Sequence, residues 1–185
     1  QSLQMPSLER VETHDKAPLS YAQQRLWFLQ NLHPEDTSYN MAFGLKLKGQ
    51  LDISALTQAL TEIVRRHETL RTKFLAEDGG AIQVVEPARE WHLPLVDLSS
   101  LGESEKQAET KALTRREAGK TFDLATDESL RTVLLRRSPE DHLLLVTMHH
   151  IVSDGWSMGV LVKEVSALYE AYRRGEESPL PELPV

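Results

Sequence analysis

The sequence contains no cysteine among its 185 residues. Disulfide bonds, thiolate zinc sites and a cysteine nucleophile are therefore excluded, and the composition suits a reducing cytoplasm. No apolar run reaches the roughly 20 residues that a membrane-spanning helix needs, and the polar stretch 1–15 lacks the charged-then-apolar order of a signal peptide. We expect a cytoplasmic protein with no membrane partner.

Positive charge is also in short supply. The chain has 21 Lys and Arg against 28 Asp and Glu, which gives a formal net charge of -7. A surplus of negative charge opposes contact with a phosphate backbone, so we expect no nucleic-acid partner. Hydrophobic residues make up 40% and charged residues 26%, a mixture typical of a globular protein, and the length fits one compact domain.

Both ends of the chain lack a sustained hydrophobic period. Residues 1–18 contain two prolines and are interpreted as a linker that precedes the domain. Residues 178–185 contain three prolines and are interpreted as an extended linker. The domain itself is therefore predicted to span residues 19–177.

Hydrophobic periodicity and capping residues predict four helices. Ser20 with Gln23 forms a capping box at the start of the first, and Asp52 can cap the second. The third is rich in Glu, Lys, Ala and Arg, so it should face solvent. The predicted helices run to about Leu32, from Asp52 to about His67, from Glu103 to Lys120, and from Met158 to Tyr172.

Alternating and continuous apolar runs predict the strands. Four of them pair as hairpins by their turn residues, and the run Leu143–Val146 is apolar on both faces, which places it inside a sheet. The predicted strands are Tyr39–Lys48, Leu70–Ala76, Ala81–Glu86, Leu130–Arg137 and His142–Met148, with a turn at Asp78-Gly79-Gly80. The elements together predict an α/β (α+β) fold in which helices pack against a central mixed β-sheet.

The segment 148–157 combines polar side chains with a predicted strand-to-helix junction. Such a junction presents side chains and backbone N–H groups together. His149 and His150 should point to opposite sides of an extended chain, so that one faces a cleft and the other turns inward. Asp154 can hold the loop through a salt bridge or hydrogen bonds, and Gly155 allows a ligand to approach the backbone closely.

This segment is open to two other interpretations. An isolated His-His pair is more typical of a buried histidine pair beside a helix cap, and only Asp154 and Gly155 favour chemistry. A metal site is the second alternative, but the spacing is not that of a helical His-x-x-x-His clamp, and the other histidines are scattered. We predict no metal and no directly bound cofactor.

Two further segments, 65–74 and 20–29, say little when taken alone. Cationic residues at a helix C-terminus complement the helix dipole, and a capped amphipathic helix is a common structural element. Together with the histidine segment, however, they form an ordered set. The three blocks read LSYAQQRLWFL at 19–29, RHETLRTKF at 66–74 and MHHIVSDGWS at 148–157.

In order and spacing, these blocks resemble the first three signature motifs of nonribosomal peptide synthetase condensation domains. The resemblance spans residues 19–185. It implies a chloramphenicol-acetyltransferase-like fold, in which two similar lobes form a V and the histidine loop lies at the floor of a tunnel between them. The later motifs, which the family places in the second lobe, are absent, so we expect one N-terminal lobe whose C-terminal lobe is missing.

The resemblance also implies a reaction and its partners. In the family, an acceptor amine attacks a donor thioester, and both groups are carried on the 4'-phosphopantetheine arms of donor and acceptor peptidyl carrier domains. An adenylation domain is the expected neighbour in the parent synthetase. The resemblance implies that no cofactor is bound directly, because the arms belong to the carrier domains.

Site roles follow from the same resemblance. His150 is expected to accept a proton from the attacking amine or to position it, and the N–H of Gly155 to stabilise the developing oxyanion. His149 should support the site from inside, and Asp154 should be structural and ion-paired to an arginine. Arg66 and Arg71 match family positions that maintain the site.

Two alternatives stay open at this point, and a third is excluded. An epimerisation domain shares the histidine motif, although the first block looks more like domains that join two L-residues. A heterocyclisation domain is excluded by the intact histidines. A noncatalytic scaffold that docks carrier proteins is the alternative from another class. We expect the fragment alone to fold, to be inactive, and to self-associate weakly through exposed apolar surface.

Overall fold

A computed structural model of the chain describes residues 16–77 and 79–183. The predicted linker up to Asp15, the turn residue Asp78 and the last two residues therefore lie outside the described residues. Within the described ranges, no helix is both long enough and apolar enough to cross a membrane.

The described residues form two β-sheets and four α-helices. One sheet has the strand order β1-β4-β3, and the other has the order β2-β7-β6-β5. The elements are β1 (Ala17–Pro18), α1 (Tyr21–Leu32), β2 (Asn40–Lys48), α2 (Ile53–Arg66), β3 (Thr72–Glu77), β4 (Gly80–Val85), β5 (Leu95–Asp97), α3 (Glu103–Ala118), β6 (Leu130–Ser138), β7 (Asp141–His149) and α4 (Gly155–Arg173), with a 3-10 turn at Glu68–Arg71.

Strand β7 lies inside the larger sheet, as its continuous apolar run predicts. It pairs antiparallel with β2 on one side and with β6 on the other, whereas β5 pairs parallel with β6. The sheet is therefore mixed, as predicted. Strand β2 is an edge strand and shows the alternation of half-buried and exposed residues that one wet face produces.

Helices cover both faces of this sheet. Helices α2 and α4 pack on one face, where Leu60, Leu144 and Leu168 belong to one buried cluster. Neighbouring residues of the same strands point to the opposite face, where Leu145 meets Leu113 of α3. Only Leu113 and Glu117 of α3 are buried, which confirms the prediction of a solvent-facing helix.

A second, smaller core joins α1 and the smaller sheet to the end of β7. It contains Leu19, Phe74, Phe122, Leu124 and Ile151, all buried. The backbone N–H of Phe74 donates to the carbonyl of Leu124 at 2.9 Å, which fixes β3 against that segment. Because Ile151 follows the histidine pair, this core holds one end of the functional segment.

Some element boundaries differ from the sequence predictions. Ala17 and Pro18, placed in the linker, pair with β4 as a two-residue edge strand, where proline is tolerated. Strand β5 was not predicted because three residues are too few to display alternation. Helix α4 begins at Gly155 rather than Met158, since Asp154 caps it.

Candidate functional site

The histidine segment connects the end of β7 to the start of α4. Its backbone is anchored to the residue that precedes β2, because the N–H of His150 donates to the carbonyl of Tyr39 at 2.9 Å. His149 is buried, whereas His150 is exposed. The predicted division between an inward and an outward histidine is therefore present in the geometry.

His149 is held as a neutral imidazole with a defined tautomer. Its Nδ1 accepts a hydrogen bond from the N–H of Ile151 at 3.1 Å, so the proton is assigned to Nε2, which donates to Oε1 of Gln30 at 3.3 Å. Burial, together with the smaller effects of the nearby His150 and Arg131, lowers the pKa of His149 to about 4. The residue is therefore uncharged at neutral pH.

Three residues around His149 were not identified from the sequence as parts of the site. The ring of Phe122 meets the His149 ring edge-on at 5.8 Å, and the guanidinium carbon of Arg131 lies 3.6 Å from the centre of the Phe122 ring. Gln30 is buried and also donates to the carbonyl of Pro34 at 3.1 Å. The only sequence signal for Gln30 is its position three residues after Trp27, on the inward face of α1.

The geometry of His150 leaves one ring nitrogen available for proton transfer. Nδ1 lies 2.6 Å from the carbonyl oxygen of Ser153. A carbonyl oxygen can only accept, so Nδ1 is assigned the proton and Nε2 carries the lone pair in the neutral ring. Within the described residues, no protein group is hydrogen-bonded to Nε2. Such an imidazole can accept a proton from a bound amine or orient it.

Asp154 caps helix α4. Its Oδ1 accepts from the N–H of Ser157 at 2.8 Å and from the hydroxyl of Ser157 at 2.7 Å. Both hydrogen bonds lower the pKa of the Asp154 carboxyl, and the one from the backbone N–H has the larger effect. No arginine among the described residues forms the expected ion pair with Asp154, so that pair stays a prediction. The exposed carboxylate turns back onto the first turn of its own helix.

Gly155 is the first residue of α4 and is exposed. An added Cβ would meet nothing within 4 Å, and the residue is not among the glycines with positive φ. Neither backbone conformation nor packing within this chain requires a glycine there. Because Gly155 has no side chain, the space beside its backbone is open. Its N–H lies at the N-terminus of α4, the positive end of the helix dipole.

Arg66 and Arg71 lie away from the histidine loop. The buried Arg66 places its Nε 3.6 Å from Oε2 of Glu164 on α4, and it donates to the carbonyl of Pro181 at 2.8 Å. Arg71 donates to the carbonyl of Glu86 and bonds Glu68 at 3.1 Å. The structure therefore brings His149, His150, Asp154 and Gly155 together, whereas the two arginines fix the elements around them.

Glu164 connects α2 to α4 through a second contact. Its Oε2 lies 2.7 Å from Nε2 of His67, the residue that ends α2. A cavity of about 140 Å³ lies beside this contact, next to the histidine loop. A larger hollow of about 220 Å³ surrounds Arg71 and Trp91, and no residue of the loop lines it. Nowhere in the described ranges do three or more His, Asp or Glu side chains cluster as metal ligands would.

Sequence comparison places this geometry in a family. Residues 13–185 match the profile of the family described as condensation domain. One protein of the linear gramicidin synthase of Brevibacillus parabrevis is 45% identical over 178 residues, which cover 96% of this chain and 2% of that protein. Chondramide synthase of Chondromyces crocatus is 47% identical over 171 residues, which cover 92% of this chain and 4% of that protein. The chain thus spans a small part of each synthase.

Solved structures agree with the sequence match. The starter condensation domain of rhizomide synthetase RzmA has a TM-score of 0.82 and 26% identity, covering 90% of this chain and 40% of that one. The X-domain from teicoplanin biosynthesis has a TM-score of 0.86 and 30% identity, covering 97% and 38%. These matches support the predicted chloramphenicol-acetyltransferase-like fold and do not favour an epimerisation domain. The chain belongs to the condensation-domain family of nonribosomal peptide synthetases.

Proposed function

We propose that this chain is the N-terminal lobe, residues 19–177, of a condensation domain that forms a peptide bond between two carrier-bound substrates. The donor acyl or peptidyl group and the acceptor aminoacyl group are thioesters on the 4'-phosphopantetheine arms of two carrier domains. Family membership and the similarity to parts of peptide synthetases support this proposal. The observation that carries it is the anchored imidazole of His150, with Nε2 available.

The reaction assigned to this site begins with the neutral acceptor amine. An α-amino group titrates near about 8, so a sizeable fraction is already unprotonated at neutral pH. Its nitrogen attacks the thioester carbonyl carbon, and a C–N bond forms. Nε2 of His150 orients the amine and accepts the proton that the nitrogen must lose. When the C–S bond breaks, that proton passes to the departing thiolate of the donor arm.

The start of α4 is the proposed oxyanion site. As the amine attacks, the carbonyl oxygen gains negative charge, and a backbone N–H at a helix N-terminus can donate to it. Gly155 provides this N–H with open space in front of it. Asp154 fixes the helix start by binding Ser157, and we assign Asp154 no proton transfer.

The remaining site residues are assigned supporting roles. His149, bound to Gln30 and Ile151, keeps the loop at the end of β7. Arg66 holds α4 through Glu164, and Arg71 holds the 3-10 turn that precedes β3. We assign these residues to the integrity of the site rather than to substrate contact.

The wider organisation is part of the same proposal. A second, C-terminal lobe would complete the tunnel, the extended segment 178–185 would lead to it, and an adenylation domain would adjoin it in the parent synthetase. Exposed apolar side chains on α1, namely Tyr21, Phe28 and Leu32, provide a surface of the kind that another part of a protein covers. For the lobe alone, we expect no catalysis, because one wall of a tunnel cannot align two substrates.

The proposal is tested by replacing His150 with Ala in the intact parent synthetase. With donor and acceptor carriers loaded, we expect the rate of carrier-bound peptide formation, followed by mass spectrometry, to fall about 10²–10⁴-fold. His92→Ala, at another exposed histidine, is the control and should leave the rate unchanged. A folded His150→Ala protein that forms product at the normal rate would remove His150 from the mechanism. An intact protein that binds both carriers but forms no product would favour the scaffold alternative.

A further inference from the structure

The cavity beside the histidine loop lies between the 3-10 turn after α2 and the first two turns of α4. Its volume is about 140 Å³. Ser153 lines it, and the carbonyl of the same residue holds Nδ1 of His150 at 2.6 Å. Met148, two residues before His150 on the same face of the chain, lines it as well. The cavity and the imidazole therefore share their supporting residues.

The lining of this cavity suits an apolar group. Its apolar wall consists of Leu70, Met148, Val152, Trp156, Val160 and Leu161. No Asp, Glu, Lys or Arg is among its lining residues. A charged group placed there would lose its hydration without gaining a counter-charge, which is strongly unfavourable.

Three of the four polar side chains of the lining, all but Thr69, are already engaged by the protein. His67 Nε2 is 2.7 Å from Glu164, the Ser157 hydroxyl donates to Asp154 at 2.7 Å, and the Ser153 hydroxyl lies 3.3 Å from the carbonyl of His149. A ligand therefore gains little by presenting its own hydrogen-bonding groups to them. An aliphatic or aromatic group, by contrast, gains from leaving water.

The size and the mouth of the cavity point to a side chain rather than to a larger molecule. An apolar cavity of about 150 Å³ in another protein binds benzene, so the volume here fits a group between isobutyl and phenyl. At the rim, the indole of Trp156 is 83% exposed. An exposed tryptophan beside an apolar cavity is typical of a surface that a ligand or another part of the protein covers.

From these observations we propose that the cavity binds the aliphatic or aromatic side chain of an aminoacyl group that reacts at His150, and that Trp156 packs against it. The inference rests on the proposed function, since it assigns a specificity site to that reaction. Donor and acceptor substrates both carry such side chains, and the experiment separates them.

The test is to narrow the cavity with Val160→Phe in the intact parent synthetase. Rates are measured for two series of carrier-bound substrates, one varying the donor and one the acceptor, each with alanyl, leucyl, phenylalanyl and lysyl groups. In the series whose side chain enters the cavity, we expect the leucine-to-alanine ratio of kcat/KM to fall at least about tenfold. The other series should keep its ratio, which identifies the bound partner.

Matched variants keep the test decisive. Ser166→Phe adds the same ring to the exposed side of α4 and should leave both ratios unchanged. Val160→Ala widens the cavity and should raise the phenylalanine-to-leucine ratio, so a poorly folded Val160→Phe protein does not end the test. Unchanged ratios in both series for both Val160 variants would overturn the proposal.

The test of the cavity and the test of the proposed function can give different results. Replacing His150 should lower the rates of all substrates by a similar factor, whereas replacing Val160 should change their ratios. If His150→Ala is fully active while the Val160 variants alter the ratios, the cavity assignment stands and the role of His150 falls. If His150→Ala is inactive and the ratios do not move, only the cavity assignment falls.

Discussion

The inward and outward sides of the histidine segment are built in different ways. On the inward side, His149 is buried against Phe122, bonded to Gln30 and the N–H of Ile151, and kept neutral. On the outward side, His150 and Gly155 are exposed, and a Cβ added at Gly155 would meet nothing within 4 Å. Two adjacent histidines thus differ in their surroundings: the first is bonded inside the fold, and the second is the one to which we assign contact with substrate.

The largest expected effect on stability comes from the inward histidine. Replacing His149 with Ala removes a buried ring and leaves Gln30 and the N–H of Ile151 without their partner. We expect the free energy of unfolding to fall by about 2–3 kcal/mol. Chemical denaturation of both single variants measures this, and His150→Ala should change stability by less than about 0.5 kcal/mol. Equal losses for the two would end the distinction between the two sides.

A pH titration tests the same contrast. The pKa of His149 is about 4 in the folded chain, below the ordinary value of 6.5, so the unfolded chain binds more protons between these values. The contribution of the neutral His149 to the free energy of unfolding is therefore complete above pH 6.5 and is lost as the pH falls toward 4. The free energy of unfolding should fall by about 3 kcal/mol over this range.

The control for this titration is built from the neighbouring residue. His149→Gln should flatten the fall of melting temperature between pH 6.5 and 4, whereas His150→Ala should keep it. Burial also lowers the pKa of His142, so part of the slope should persist in both variants. An unchanged slope in His149→Gln would mean that His149 is not kept neutral by its surroundings.

A smaller effect is expected at Asp154, and two substitutions separate its two candidate partners. Asparagine can still cap a helix, whereas alanine cannot. Because the carboxylate binds Ser157, Asp154→Ala should lower the melting temperature more than Asp154→Asn does. An ion pair would be lost equally in both variants, so equal melting temperatures would favour the ion pair over the cap.

The smallest change in stability is expected at Gly155. Its added Cβ meets nothing within 4 Å and alanine is a better helix former, so Gly155→Ala should melt at the same temperature or slightly higher. Peptide formation should nevertheless slow, since the methyl group enters the space in which we propose that the oxyanion develops. Full activity of this variant would show that substrate does not approach the backbone there.

Features set by neighbouring residues were predictable from the sequence. The capping box of Ser20 and Gln23, the cap at Asp52 and the buried run in β7 are confirmed, because each depends on residues a few positions apart. Strand β5 and the contact between Gln30 and His149 were missed, because each is fixed by a partner far along the chain. The hydrogen bond from the Ser157 N–H to Asp154 is also local, whereas an arginine partner of Asp154 stays a prediction, because no arginine among the described residues pairs with it.

The anchor of the histidine loop on β2 bears on the recombination of synthetases. The side-chain amide of Asn40 donates to the carbonyls of Ala118 and Lys120, both at 2.8 Å, and the preceding residue, Tyr39, accepts from the N–H of His150. The end of α3 and the start of the histidine loop therefore share one attachment point. In a chimaera whose crossover separates residues 39–40 from 118–120, the two sides of this attachment point come from different proteins. We expect such a crossover to shift the His150 imidazole through these hydrogen bonds.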